Sequence, residues 1–311
     1  MKIFENIASY KAEKGAVVTI GTFDGVHQGH QKILKRVTEI AKQKSLTSVL
    51  LTFFPHPRMV LQPDSDLKLI NTIEERQLLI AANGIENIVT HPFSLEFART
   101  SAHDYVKNIL VDQLNAAVVV IGYDHRFGRN RAASINELEE YGKEFNFKVV
   151  QISKKDIEEV TVSSTKIRNA IESGDMETTR NYLNRPYSVT GDIVQGKAIG
   201  RTINYPTANL KVSKNYKLLP KNGVYITSSI IDGIVVYGMT NIGVNPTISN
   251  DLKKTIETYY IDFTGDLYHT QMELFFHKRL RNELKFNSME DLTAAMKEDE
   301  LNTRTYVQQM G

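Results

Sequence analysis

Residues 16–23, AVVTIGTF, open a regular alternation along the chain. Further short apolar runs follow: TSVLLTFF at 47–54, NIVTHPF at 87–93, AAVVVIGY at 116–123 and FKVVQIS at 147–153. They are continuous and rich in β-branched residues, the pattern of parallel strands covered on both faces. Between them, Ile33, Leu34, Val37, Ile40 and Ala41 share one face at helical spacing. So do Tyr105, Val106, Ile109, Leu110 and Leu114. This alternation predicts an α/β fold, a doubly wound parallel sheet with right-handed crossovers. Ligands on such sheets bind beyond the carboxyl ends of strands. GTFDGVHQGH (21–30) and GYDHRFG (122–128) fall there.

The pattern changes after RNYLNRPY (180–187). From Ser188 the chain reads SVTGDIVQG, GVYITSSIIDGIVVYGMTNIGV, TIETYYIDF and QMELFFHKRL. These are short strands parted by Gly, Asn and Asp turns, with IDG a hairpin signal. A helical stretch, SMEDLTAAMKEDE, comes near the end. The expectation is a small antiparallel β-barrel with a C-terminal helix. It divides the chain into domains at 1–184 and 185–311.

At 311 residues, a two-domain chain is also the first guess from length. The net charge of +2 offers no bulk field toward nucleic acid or an anionic membrane, so an anionic ligand must be held by local groups. The absence of cysteine excludes disulfides, thiolate metal sites and cysteine nucleophiles. MKIFENIASYKAEKGA lacks the apolar core of a signal peptide, and no apolar run reaches membrane-spanning length. These features predict a cytoplasmic protein without nucleic-acid or membrane partners.

GTFDGVHQGH places His27 and His30 where a strand ends and a helix begins. A helix N-terminus there offers unpaired N–H groups and partial positive charge, which favour phosphate. Glycines let the backbone approach closely, and two imidazoles add donors. That set suits attack on a nucleotide α-phosphate with pyrophosphate leaving, a reaction that needs positioning and charge stabilisation more than an enzyme nucleophile. The plainer alternative is a pair of surface histidines at a helix cap. Asp24 fits a ligand contact or a turn equally well.

The decapeptide resembles the adenylyltransferase signature of bacterial bifunctional riboflavin kinase/FAD synthetases, and other segments agree with that family in order. TFFPHPR (52–58) resembles its TFxPHP segment, GYDHRFG its G-x-[DN]-F-x-F-G segment, and VSSTKIR (162–168) its SSTxIR segment. In the second half, GKAIGRTINYPTANL (196–210) resembles the kinase glycine-rich loop and PTAN motif. GVY (223–225), NIGVNPT (241–247), IETYYIDFTGDLY (256–268) and LRNE (280–283) follow in the expected order. His125, Asn245, Ile248 and His269 depart from the residues usual in the family.

The resemblance implies a Rossmann-like nucleotidylyltransferase domain followed by a riboflavin kinase barrel. It implies that His27 and His30 stabilise adenylyl transfer on a loop shaped by Gly21, Phe23, Asp24 and Gly25. Asp124, Ser163, Ser164 and Thr165 would bind nucleotide, with Arg168 on the phosphates. Pro55, His56, Pro57 and Arg58 would lie on the flavin side. In the barrel, Gly196, Lys197, Gly200 and Arg201 would cover phosphates, and Thr207 and Asn209 would hold Mg²⁺. Glu257, flanked by Ile256 and aromatics, would act as general base, and Arg281 would touch flavin. The implied ligands are riboflavin, FMN, FAD and ATP; the oligomeric state stays open. Rival readings keep one activity only, bind flavin without turnover, or transfer adenylate to another acceptor.

Overall fold

The structure is a computed structural model that describes residues 1–123, 125–153, 162–196, 200, 203–245 and 253–310. It forms two compact units, Met1–Ser164 and Thr165–Gly311.

The first unit contains β1 (Lys2–Phe4), β2 (Ala16–Ile20), α1 (Gln28–Lys44), β3 (Thr47–Phe53), α2 (Pro57–Leu61), α3 (Ile73–Ala82) and β4 (Asn87–His91). After these come α4 (Ala102–Asp104), which runs on as a π-wound segment Tyr105–Gln113, then β5 (Ala116–Gly122), α5 (Ile135–Glu144) and β6 (Lys148–Ile152). The 6-stranded sheet has the order β1-β4-β3-β2-β5-β6 and is parallel at every junction. Chain order reverses at β2, which pairs with β3 on one side and β5 on the other. The crevice at that switch point is where a doubly wound sheet receives ligand.

Burial explains the continuous apolar runs. Val18, Val49 and Val119 enter one core with Tyr105, Val106, Leu110 and Leu114. Their strand neighbours Val17, Leu50, Val118 and Val120 enter the other core with Leu34, Val37 and Ile40 of α1. Each strand therefore buries both faces, as its sequence requires. The amphipathic faces expected around 33–41 and 105–114 are the ones that cover the sheet. β1 had no counterpart in the sequence reading: it is only 3 residues long and lies on the sheet edge beside β4.

The second unit begins within α6 (Ser164–Ser173), followed by α7 (Met176–Leu183). The strands are β7 (Tyr187–Val194), β8 (Ala208–Lys211), β9 (Gly223–Ile231), β10 (Ile234–Asn245), β11 (Lys253–Tyr260) and β12 (Gln271–Arg281), and α8 (Met289–Met310) ends the chain. The strands close an antiparallel barrel in the order β10-β11-β8-β7-β12-β9. The IDG signal is the β9–β10 turn, with Asp232 at φ 50 and Gly233 at φ 80. Two successive left-handed residues match the twist of the flanking strands.

The barrel interior is not wholly apolar. Thr227, Thr240 and Thr258 are buried and join their hydroxyls across β9, β10 and β11, at 2.7 Å per link. Outside, His277 of β12 meets Ser228 through Nε2 at 2.8 Å and faces Tyr306 of α8. Burial, aided by Arg180, pushes the His277 imidazole down to about 4. Its folded value lies below the unfolded one, so the unfolded chain takes up the proton first as pH falls. Stability should therefore decline between about pH 6.5 and 4, by at most ~1.4 kcal/mol per pH unit from this group. Denaturant unfolding across that window should show the slope, and His277→Gln should flatten it. An unchanged slope in the variant would remove His277 as its source.

Candidate active sites

The loop that leaves β2 carries the first constellation. Residues Gly21 to His27 cross the carboxyl end of the sheet and deliver His27 as the N-cap of α1. His27 Nδ1 accepts from the His30 backbone N–H at 3.4 Å, so the neutral ring keeps its proton on Nε2. The two imidazoles stack, with centroids 3.6 Å apart and planes at 16°. Phe23 closes against His30 at 4.8 Å. Burial, the neighbouring His27 and the cation of Arg76 together hold the His30 imidazole well below its usual range. His30 is thus neutral near pH 7. Its Nδ1 is buried and, among the described residues, has no hydrogen-bond partner.

Asp24 is buried, and its function inside the protein is visible. Oδ2 accepts from the Ile70 N–H and Oδ1 from the Asn71 N–H, both at 3.1 Å. Its carboxylate ties the histidine loop to the segment that leads into α3. On the backbone side, the Asp24 carbonyl accepts from Ser164 Oγ at 3.0 Å. Ser164 opens α6, with Ser163 just before it and Thr165 and Arg168 further along. Asp124 lies outside the described residues.

Pro55–Arg58 leave the end of β3, next to β2 in the sheet. His56 caps α2, its Nδ1 accepting from the Arg58 N–H at 3.1 Å, and Arg58 Nε donates to Gln62 on the surface. Beside this loop lies an aromatic edge that sequence reading did not single out. Phe53, Phe93 and Phe97 meet with centroids 5.4 to 5.8 Å apart. Its members come from β3 and from the turns after β4, so only the sheet order brings them together. Arg76 of α3 was also missed; it is fully buried beneath the histidine loop.

The barrel carries the second constellation on its outer face. Glu257 of β11 pairs with Asn209 of β8 on one side and Asn241 of β10 on the other. Directly opposed residues share a face, so a half-buried carboxylate lies between two amides. Ile256 points the other way, into the interior, and is buried there. The expectation that Ile256 flanks the carboxylate is therefore corrected, because side chains alternate along a strand. Tyr259, two residues on, is its neighbour on the same face. Thr207 lies one residue ahead of β8.

Gly196 and Gly200 have steric reasons to be glycine. A Cβ on Gly196 would run into the Asn209 side-chain amide, and one on Gly200 would strike the Tyr205 carbonyl oxygen. Lys197 and Arg201 lie outside the described residues. Arg281 is placed differently from a free ligand contact. Its Nε and Nη2 bridge both oxygens of Asp299 on α8, at 3.0 and 2.7 Å, and Nη1 donates to the Asn282 carbonyl. Asp299 is almost fully buried, and burial raises its carboxyl against the pull of Arg281.

A family model described as FAD synthetase matches residues 9–166, and one described as riboflavin kinase matches 183–307. The bifunctional riboflavin kinase/FMN adenylyltransferase of Listeria monocytogenes is 36% identical over 291 residues, covering 93% of this chain and 92% of that one. This chain belongs to the bifunctional riboflavin kinase/FMN adenylyltransferase family. A Buchnera aphidicola relative of the same name is 35% identical and covers 98% of each chain. A crystal structure from Streptococcus pneumoniae, described as a macrolide-efflux protein, has a TM-score of 0.87 at 29% identity and covers 97% of this chain and 98% of that one. Among the described residues of this family member, no helix is long and apolar enough to cross a membrane.

The Arg281–Asp299 pair generates a stability prediction. Arg281→Ala leaves a buried carboxylate without its partner and should destabilise the barrel by about 3 kcal/mol. Arg281→Ala combined with Asp299→Ala should recover part of that loss. Thermal unfolding of the set measures it; equal losses in the single and double variants would contradict the pairing.

Proposed function

We propose that the chain makes FMN and then FAD: the barrel phosphorylates riboflavin with ATP, and the parallel-sheet domain transfers AMP from ATP to FMN. The observation that carries this is a set of phosphate-handling groups in each unit. One pairs stacked histidines with a helix N-terminus at the sheet switch point. The other pairs a carboxylate with an amide on a barrel face. We assign adenylyl transfer to 1–184 and riboflavin phosphorylation to 185–311. The family models support this, ending at 166 and starting at 183.

In the first reaction the ribityl 5′-hydroxyl gives its proton to Glu257 as its oxygen bonds to the γ-phosphorus; the bond to the β-bridging oxygen breaks and ADP leaves. Asn209 and Asn241 are the cross-strand neighbours of Glu257 on that face. Thr207 and Asn209 offer hard oxygen donors beside it, a set that fits Mg²⁺. That ion, when bound, neutralises phosphate charge. We assign phosphate contacts to Gly196 and Gly200, and by the resemblance to Lys197 and Arg201, which lie outside the described residues. The resemblance gives Arg281 a flavin contact in addition to its bridge to Asp299.

In the second reaction a phosphate oxygen of FMN attacks the α-phosphorus of ATP, and pyrophosphate leaves. His27 and His30 donate N–H groups to the phosphates, and the α1 N-terminus adds its partial positive charge. A neutral His30 in the free protein gains affinity for a proton once the polyphosphate binds. We assign nucleotide contacts to Ser163 and Ser164 as well, and by the resemblance to Asp124, which lies outside the described residues. Pro55, His56, Pro57 and Arg58 line the flavin side, where the aromatic edge offers a surface for a planar ring.

Two substitutions test the division of labour. His30→Ala should lower FAD formation from FMN by on the order of a hundredfold and leave riboflavin phosphorylation near wild type. Glu257→Gln should do the reverse by a similar order. Loss of both activities from either change in a folded protein would overturn the assignment.

A further inference from the structure

Arg76 is the largest fully buried side chain in the described residues. Its Nη1 donates to the Thr22 carbonyl at 2.6 Å, and its Nη2 donates to the Phe53 carbonyl at 3.3 Å. Phe53 ends β3, and Thr22 lies just past the end of β2, its parallel neighbour. Past Thr22 the chain runs to His27 and His30; past Phe53 it runs to Pro55–Arg58. A guanidinium is planar, with donors in a fixed fork. One rigid group therefore sets the spacing of the two backbones that carry the nucleotide side and the flavin side.

The helix behind Arg76 is itself fixed. Thr72 and Glu75 form a reciprocal capping box at the start of α3. The two residues ahead of Thr72 are the ones held by Asp24. The histidine loop is thus tied to α3 twice, by Asp24 going out and by Arg76 coming back. The loop needs such ties. Phe23 has φ 48 and Val26 φ 41. For a β-branched residue this is a true outlier, and each such residue costs about 1–3 kcal/mol that surrounding contacts must offset.

We propose that Arg76 is a positioning residue for adenylyl transfer: its fork sets the histidine loop against the flavin-side loop, and so sets the approach of the FMN phosphate to the α-phosphorus. The proposal rests on the adenylyltransferase reading above. It gives a buried cation a purpose beyond packing, since burying a charge is costly. Asp24 accepts from the N–H groups of Ile70 and Asn71, and Glu75 accepts from the Thr72 N–H and the Asn71 amide. His30, on the first turn of α1, lies close enough for the cation to help keep it neutral.

The test uses the full chain with Arg76→Lys and Arg76→Met. Lysine keeps the charge as a single point and loses the fork. FAD formation from FMN and ATP is measured as separate kcat and KM values, with riboflavin phosphorylation as an internal control. Hydrogen exchange at residues 22–27 reports the loop. Arg76→Lys should lower kcat/KM by on the order of ten- to a hundredfold, as misplacement does. It should raise the KM for both ATP and FMN, speed exchange at 22–27 while β2 and β3 stay protected, and leave riboflavin phosphorylation unchanged. Arg76→Lys behaving as wild type would overturn the proposal even if Arg76→Met is impaired, because charge alone would then suffice. A lower kcat with both KM values unchanged and β2 and β3 exchanging fast would also overturn it, since that is partial unfolding. If the wild-type chain makes no FAD from FMN, the adenylyltransferase reading fails first; the exchange measurement still shows whether Arg76 holds the loop.

Discussion

The carboxylate of Asp24 on the N–H groups of Ile70 and Asn71 is the constraint on which the first site depends. A parallel sheet ends in loops that have no ladder to hold them. Here the loop after the central strand adopts left-handed backbone at Phe23 and Val26. That geometry delivers His27 to the cap position, where its ring accepts from the His30 N–H and stacks on the His30 ring. Without a tie to a second element, the loop would relax and the two rings would part. Asp24 supplies the tie through backbone groups whose positions are already fixed by the capped start of α3. The stack and the orientation of the α1 N-terminus both depend on it.

The barrel reaches comparable rigidity by different means. Closure removes free edges, so strand register alone fixes which side chains share a face. Glu257 lies between Asn209 and Asn241 because β8, β11 and β10 are neighbours in one closed ladder. Inside, the threonine hydroxyls satisfy one another across three strands, so the polar interior costs little. Outside, the Arg281–Asp299 bridge fastens α8 to the end of β12. One unit holds its histidine pair on a braced loop, and the other holds its carboxylate by register.

Much of this was legible in the sequence. The apolar runs of the first half marked their strands because each strand buries both faces and leaves no polar gap. The IDG turn marked its hairpin because two residues must be left-handed there. Both sets of chemical groups stood in quotable motifs. Less visible was anything that depends on distant pairing. Arg76 sits in TIEERQLL, which reads as the solvated face of a helix. Only the placement of α3 under the β2 and β3 ends makes it a buried brace. Asp24 balanced between turn and ligand because its partners lie more than forty positions on. The Arg281 bridge was equally invisible because Asp299 lies on a different element. The helix α8 runs to Met310, beyond the stretch that carried its signal, since LNTRTYVQQM has no apolar stripe to announce it.

The most direct test of the account is a time course of flavins, separated by chromatography, after purified chain is mixed with riboflavin, ATP and Mg²⁺. Two working sites in one chain predict that FMN rises first and then falls as FAD accumulates. FMN that accumulates with no FAD would contradict the histidine site. Riboflavin left untouched, with FAD formed only from added FMN, would contradict the barrel site.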